Sequence, residues 1–231
     1  MWLPGWGTGG VSARGSADAP ASISSDPVQR FLTSPAEPLT SYRALRKISA
    51  SNKRFKKHGW LRAWTELDRE HGFRYEIVDE GGSEYIRRRV LRKLLEGERD
   101  AVTSGQPEKA ALTTNNYRFG VVADDGTVMR LSIVPLRSDG LLLDGTVTAM
   151  SHTGDLLSIE GRLAKNPSFW TSRVDVTRRY GRIGGIRVPL EVVSTAHVKI
   201  AGASELQMTY DYESINGRVI AALATMPRHC D

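Results

Sequence analysis

A chain of 231 residues has room for one sizeable hydrophobic core, and 40% hydrophobic with 25% charged residues is ordinary globular composition. That composition excludes general disorder and a membrane-integral chain; the longest apolar runs, such as Leu141-Leu142-Leu143, are far short of the roughly 20 residues needed to cross a bilayer as a helix. A formal net charge of +6 attracts phosphates, anionic lipid heads and acidic proteins alike, and the single cysteine, Cys230, excludes an internal disulfide framework and a cysteine-based metal site.

Residues 1–38 are rich in Gly, Ser, Ala and Pro without sustained periodicity. They read as a disordered leader with one turn of helix near Val28 to Leu32, and core packing is expected after Pro38. Gly5, Gly7 and Gly10 fit G-x-G-x-x-G, but no strand precedes them and no helix follows, so a dinucleotide site is rejected. The first 20 residues contain no continuous apolar stretch of the signal-peptide kind. Two alternatives stay open: a cytoplasmic location, or a chain that lacks its export signal.

The next segments have clearer periods. Tyr42, Leu45, Ile48 and Phe55 recur at near-helical spacing after Thr40, with basic residues on the remaining arc, which predicts an amphipathic helix near 40–58. Trp60 to Asp68 and Phe73 to Asp79 read as a β-hairpin turning at His71-Gly72. Ser83 can cap a second helix near 83–99, where Ile86, Val90, Leu91, Leu94 and Leu95 make a stripe and Arg87, Arg88, Arg89, Arg92 and Lys93 face outward.

After a loop from Asp100 to Thr114 the period becomes two. Seven strands are expected near 117–123, 127–134, 141–150, 156–164, 171–180, 186–200 and 204–215, the sixth irregular at Pro189. Strict alternation in the last two belongs to antiparallel sheet with one wet and one dry face. A C-terminal tail occupies 221–231. The fold class is therefore mostly β (α+β): a curved antiparallel sheet of about nine strands, an unclosed half-barrel wrapped over two amphipathic helices within one domain, 39–220. Incomplete cover by those helices would leave a hydrophobic cavity, and Trp60, Trp64, Phe73, Tyr75, Phe169 and Trp170 are its candidate lining, against plain core or rim packing.

The order of these elements carries a family resemblance. An amphipathic segment at Tyr42 to Phe55 and a hairpin ending at Gly81-Gly82 come first. A meander follows with Gly161-Arg162-Leu163, Phe169-Trp170, Gly185-Ile186-Arg187-Val188-Pro189 and a closing Tyr210-Asp211-Tyr212-Glu213-Ser214-Ile215-Asn216. Over most of 39–217 this resembles the bacterial outer-membrane lipoprotein-sorting (LolA-like) family, unclosed β-barrels with an apolar lumen covered by short helices. The resemblance implies periplasmic location and a non-enzymatic carrier that binds the acyl chain of a lipid or lipoprotein; related envelope folds serve as sensors. No functional arginine of the family is carried over to a position here.

No pattern of a catalytic site is present: there is no G-x-x-x-x-G-K-[ST], H-E-x-x-H or G-x-S-x-G, and the five histidines are scattered without helical ligand spacing. No catalytic residue, metal site or cofactor is expected. Arg88, Arg89 and Arg92 offer a polyanion site as the alternative function, but apart from Tyr85 that helix lacks the interleaved aromatics that stack on bases, which disfavours nucleic acid. An anionic membrane surface or an envelope protein are the other partner classes for that basic face.

Overall fold

The computed structural model describes residues 26–220 apart from 36, 105, 170, 200 and 201. A short helix, α1 (Pro27–Leu32), leads into β1 (Tyr42–Asn52), β2 (Lys57–Asp68) and β3 (Gly72–Gly82). A helical segment, α2, spans 84–103, its 20 residues made of α-helical Glu84–Ile86, one widened turn Arg87–Leu91 with π-type bonding, and α-helical Arg92–Thr103. The remaining strands are β4 (Tyr117–Asp124), β5 (Val128–Pro135), β6 (Leu143–Met150), β7 (Leu156–Leu163), β8 (Thr171–Ile183), β9 (Ile186–Val198), β10 (Gly202–Ile215) and the two-residue β11 (Arg218–Val219).

All eleven strands belong to one antiparallel sheet in the order β3-β2-β1-β10-β9-β8-β7-β6-β5-β4, with β11 at the end of β10. It consists of two meanders joined where β1 pairs with β10, Tyr42 opposite Ile215 and Asn52 opposite Ser204. β3 and β4 are thus the two edges of an unclosed half-barrel, and α2 is the connection that leads from one edge to the other. Inner-face residues from both meanders and from α2 form a single cluster, which is possible only if the sheet curls around them.

The helix expected near 40–58 is replaced by β1, the intervening turn and the start of β2. The stripe that predicted it gave weight to Leu45 and Phe55, but Leu45 lies on the outer side of β1 and Phe55 is exposed in the following turn. Tyr42, Ala44, Arg46, Ile48 and Ala50 are the buried alternate residues. Two alanines are too small to mark an apolar face and an arginine reads as a wet one, so the period of two was hidden. Pairing with β2 on one side and β10 on the other decides for strand over local propensity.

α2 matches the expected second helix, extended to Thr103. Ile86, Leu91, Leu94, Leu95 and Ala101 are buried beneath it. It sits close to the sheet because β2 carries Gly59 there: a Cβ at that position would stand 3.0 Å from both Cβ and Cγ2 of Ile86.

Core packing also begins earlier than Pro38. Asp26 caps α1 by accepting from the Val28 N–H, Phe31 is buried with its ring 5.9 Å from that of Phe119, and Arg30 pairs with Asp124 at 2.7 Å. The earlier part of the expected leader, 1–25, and the expected tail, 221–231, lie outside the described residues.

Candidate functional site

On the dry side of β1, where alternation places Tyr42, Ala44, Ile48 and Ala50, the register also places Arg46. Its side chain is 0% exposed. From the opposite direction α2 contributes Glu98, and the two meet as a fork: Nη1 donates to Oε2 at 2.6 Å and Nη2 to Oε1 at 2.9 Å. Nη2 also donates to the Tyr42 hydroxyl at 2.5 Å, and Nη1 lies 3.8 Å from the Met208 sulfur. The guanidinium carbon stands 4.6 Å from the ring centre of Tyr210, 5.1 Å from that of Phe73 and 5.8 Å from that of Tyr42. A charge-assisted bidentate pair inside an aromatic cage thus joins α2 to the sheet.

The electrostatics follow from burial and from this pairing. Burial by itself would lower the pKa of Arg46, but the Glu98 carboxylate beside it, with Tyr210 and Tyr42, overrides that and holds it well above its ordinary value. Burial pushes the Tyr42 hydroxyl well up and the Tyr210 hydroxyl up to about 12, with nearby Arg46 opposing both. The cage therefore holds a fixed cation–anion pair among neutral phenols. Such a pair adds little net stability over an apolar substitute, whereas removing one partner costs about 3–5 kcal/mol, so its best-attested use is to fix one arrangement of two elements.

Of the six aromatics proposed from the sequence, the five that are described do not form one cluster. Phe73 and Tyr75 are on the inner face of β3, their ring centres 6.3 Å apart, and Phe73 belongs to the Arg46 cage. Trp60 and Trp64 alternate with buried Leu61 and Ala63 and face outward. Arg43 covers Trp64 at 4.1 Å, while the Trp60 ring lies against Gly81 of β3. Phe169, in the β7–β8 loop, is 80% exposed beneath the Lys199 ammonium at 4.2 Å. Trp170 lies outside the described residues.

The arginines of α2 are partly neutralised. Arg88 pairs with Glu84 at 3.2 Å, Arg92 with Glu80 at 3.0 Å and Arg87 with the same Glu80 at 2.7 Å; Arg89 is exposed. Among the described residues no group of three or more His, Cys, Asp or Glu side chains could hold a metal ion, and no helix is long and apolar enough to cross a membrane.

Arg46, Glu98, Tyr42 and Tyr210 were not singled out from the sequence as a site. The signal that could have found them is an arginine in the dry register of a strand, visible only once residues 42–52 are read with a period of two.

Among the described residues, part of the inner face where the expected cavity would lie is filled. Ile48, Leu61, Met129, Leu131, Ile133 and Met208 are each under 2% exposed, so this part of the inner face is filled by opposing side chains and by α2. Two hollows open on the outer face. One of about 290 Å³ is walled by Lys47, Trp60, Arg62 and Gln207, and one of about 560 Å³ is lined by Asp144, Glu160, Arg162, Arg173 and Asp175.

Comparison with family models and with curated proteins found no match. Among solved structures, a LolA superfamily protein from Nitrosomonas europaea is similar at a TM-score of 0.44 and 12% identity, over 84% of this chain and 94% of that one. A DUF1329 family protein from Desulfovibrio piger is similar at a TM-score of 0.36 and 12% identity, over 81% and 92%. At these values the likeness is broad, and nothing about ligand or partner passes from either neighbour to this chain.

Proposed function

We propose that the protein is a non-catalytic carrier of a hydrophobic ligand, the acyl chain of a lipid or lipoprotein, working in the bacterial cell envelope. The observation that carries this is the way the apolar inner face is covered. One 20-residue helix crosses between the edges of an unclosed sheet and is held there by a polar pin, Arg46 to Glu98. A permanent core would be closed more stably by apolar contacts alone; a buried charge pair, with Arg87 and Arg92 of α2 meeting Glu80 of β3 at the rim, lets the helix reclose in one register. In this reading the described arrangement is the closed form. Lifting α2, with Gly81 and Gly82 at its leading end, uncovers the inner face for a chain to enter.

A chain that enters takes over the apolar contacts that Ile86, Leu91, Leu94 and Leu95 of α2 make in the closed form, so exchange replaces one buried apolar surface by another. The resemblance noted in the sequence supplies the ligand class and the compartment.

The test is native mass spectrometry of gently purified protein with lipid extraction, then displacement of the neutral fluorophore N-phenyl-1-naphthylamine by acyl chains. Co-purified lipid and saturable displacement are expected. Protein that is always ligand-free and neither takes up nor releases the fluorophore would end the carrier reading.

A further inference from the structure

Among the described residues three guanidinium or carboxylate side chains are buried: Arg46, Arg178 and Glu98. The two cations are on the sheet, on β1 and β8, and the carboxylate is on α2. Arg46 stands 4.6 Å from the ring centre of Tyr210 on the same inner face. At the buried pair, unlike the rim where Glu80 of β3 meets Arg87 and Arg92 of α2, the sheet keeps the cation whatever α2 does and the carboxylate moves with the helix.

This division constrains what can occupy the face once α2 lifts. Arg46 would lose Glu98 while still enclosed by Tyr42, Phe73 and Tyr210 on an apolar surface. A cation left without its anion in such surroundings is strongly unfavourable, and a neutral chain does nothing to relieve it. A chain ending in a carboxylate does. Glu98 shows the geometry already, with its two oxygens 2.6 and 2.9 Å from the two terminal nitrogens of Arg46.

We propose, resting on the carrier reading above, that the ligand is an acidic amphiphile whose carboxylate takes the place of Glu98 on Arg46 while its chain lies along the inner face. Glu98 is then a surrogate for the ligand head group: it satisfies Arg46 in the empty protein and is displaced by the ligand in the loaded one. Arg46 becomes the residue that sets head-group specificity, and the apolar strands set only chain capacity.

The experiment compares dodecanoate, dodecanol and dodecyltrimethylammonium as displacers of N-phenyl-1-naphthylamine at pH 8, so that chain length is constant and only the head changes. Wild type is expected to prefer dodecanoate over dodecanol at least tenfold and to bind the cationic chain weakest. In Arg46→Met the preference should collapse to about one while dodecanol binding persists, which shows that the variant is folded. In Glu98→Gln dodecanoate should bind more tightly than in wild type, because no internal carboxylate competes, and it should raise Tm where dodecanol does not. Equal binding of dodecanoate and dodecanol by wild type, or a preference that survives Arg46→Met, overturns the head-group assignment and leaves the carrier reading standing. Failure of all three chains, together with protein that never takes up the fluorophore, overturns both.

Discussion

Arg43 and Arg46 stand three residues apart on β1 and meet carboxylates on opposite faces of the same sheet. Arg43 is on the wet side, where it pairs with Glu66 at 2.9 Å and with Glu213 from β10, lies over Trp64, and is about as exposed as its partner Glu66. Arg46 is on the dry side, 0% exposed, with one carboxylate and one phenol as its oxygen partners. Identical chemistry therefore has different consequences. On the wet face water screens each pair and replaces any partner that is lost, so the pairs there contribute little individually. On the dry face nothing replaces Glu98, and the pair behaves as a single two-part fastening between sheet and helix.

The largest expected effect comes from breaking that fastening on one side. Arg46→Ala should lose about 3–5 kcal/mol of unfolding free energy in urea titrations, since Glu98 is left buried without its cation. Replacing both partners, Arg46→Met with Glu98→Leu, should recover most of the loss. If Arg46→Ala cost no more than an exposed pair, the contrast between the faces would fail.

An intermediate effect is expected at alkaline pH and only from the dry face. Burial raises the folded-state pKa of Tyr42 and Tyr210 above that of the unfolded chain, to about 12 for Tyr210. The stability this contributes is fully present below pH ~10 and is lost as pH rises through the folded-state values, on the order of a few kcal/mol. Phenolate absorbance and urea midpoints followed together from pH 9 to 12 should show these hydroxyls ionising as the protein unfolds. Early ionisation without loss of structure would mean that the cage is wet.

The smallest effect is reserved for the outer face. Arg43→Ala should change unfolding free energy by no more than about 1 kcal/mol, and what it does change should shrink with added salt. A loss as large as that of Arg46→Ala would erase the distinction the two arginines draw.

This contrast also explains which parts of the molecule were legible. β4 to β10 are found within a few residues of where alternation put them, because their inner positions hold residues such as Met129, Leu131, Ile133, Val174 and Val176, whose bulk and apolarity announce the face they occupy. β1 was misread for the same physical reason that makes it interesting. Its inner row contains a charged residue, and a pattern rule assigns charge to water. The position where sequence logic fails is the one where the fold departs from the pattern to build a site. The five described aromatics divide among inner face, outer face and loop because strand register, not residue type, decides which way a side chain points.

The sequence by itself determined the class of this protein, a run of period-two segments with an amphipathic helix expected near 83–99, because both patterns depend on neighbours within a few residues. Only the tertiary structure decided that 42–52 is a strand, that α2 leads from one sheet edge to the other, and that Arg46 meets Glu98 across 52 residues of chain. Those facts depend on pairing between distant segments, where β10 supplies the second neighbour of β1 and burial turns an ordinary arginine into a fastening. Local periodicity carries no information about such long-range pairing.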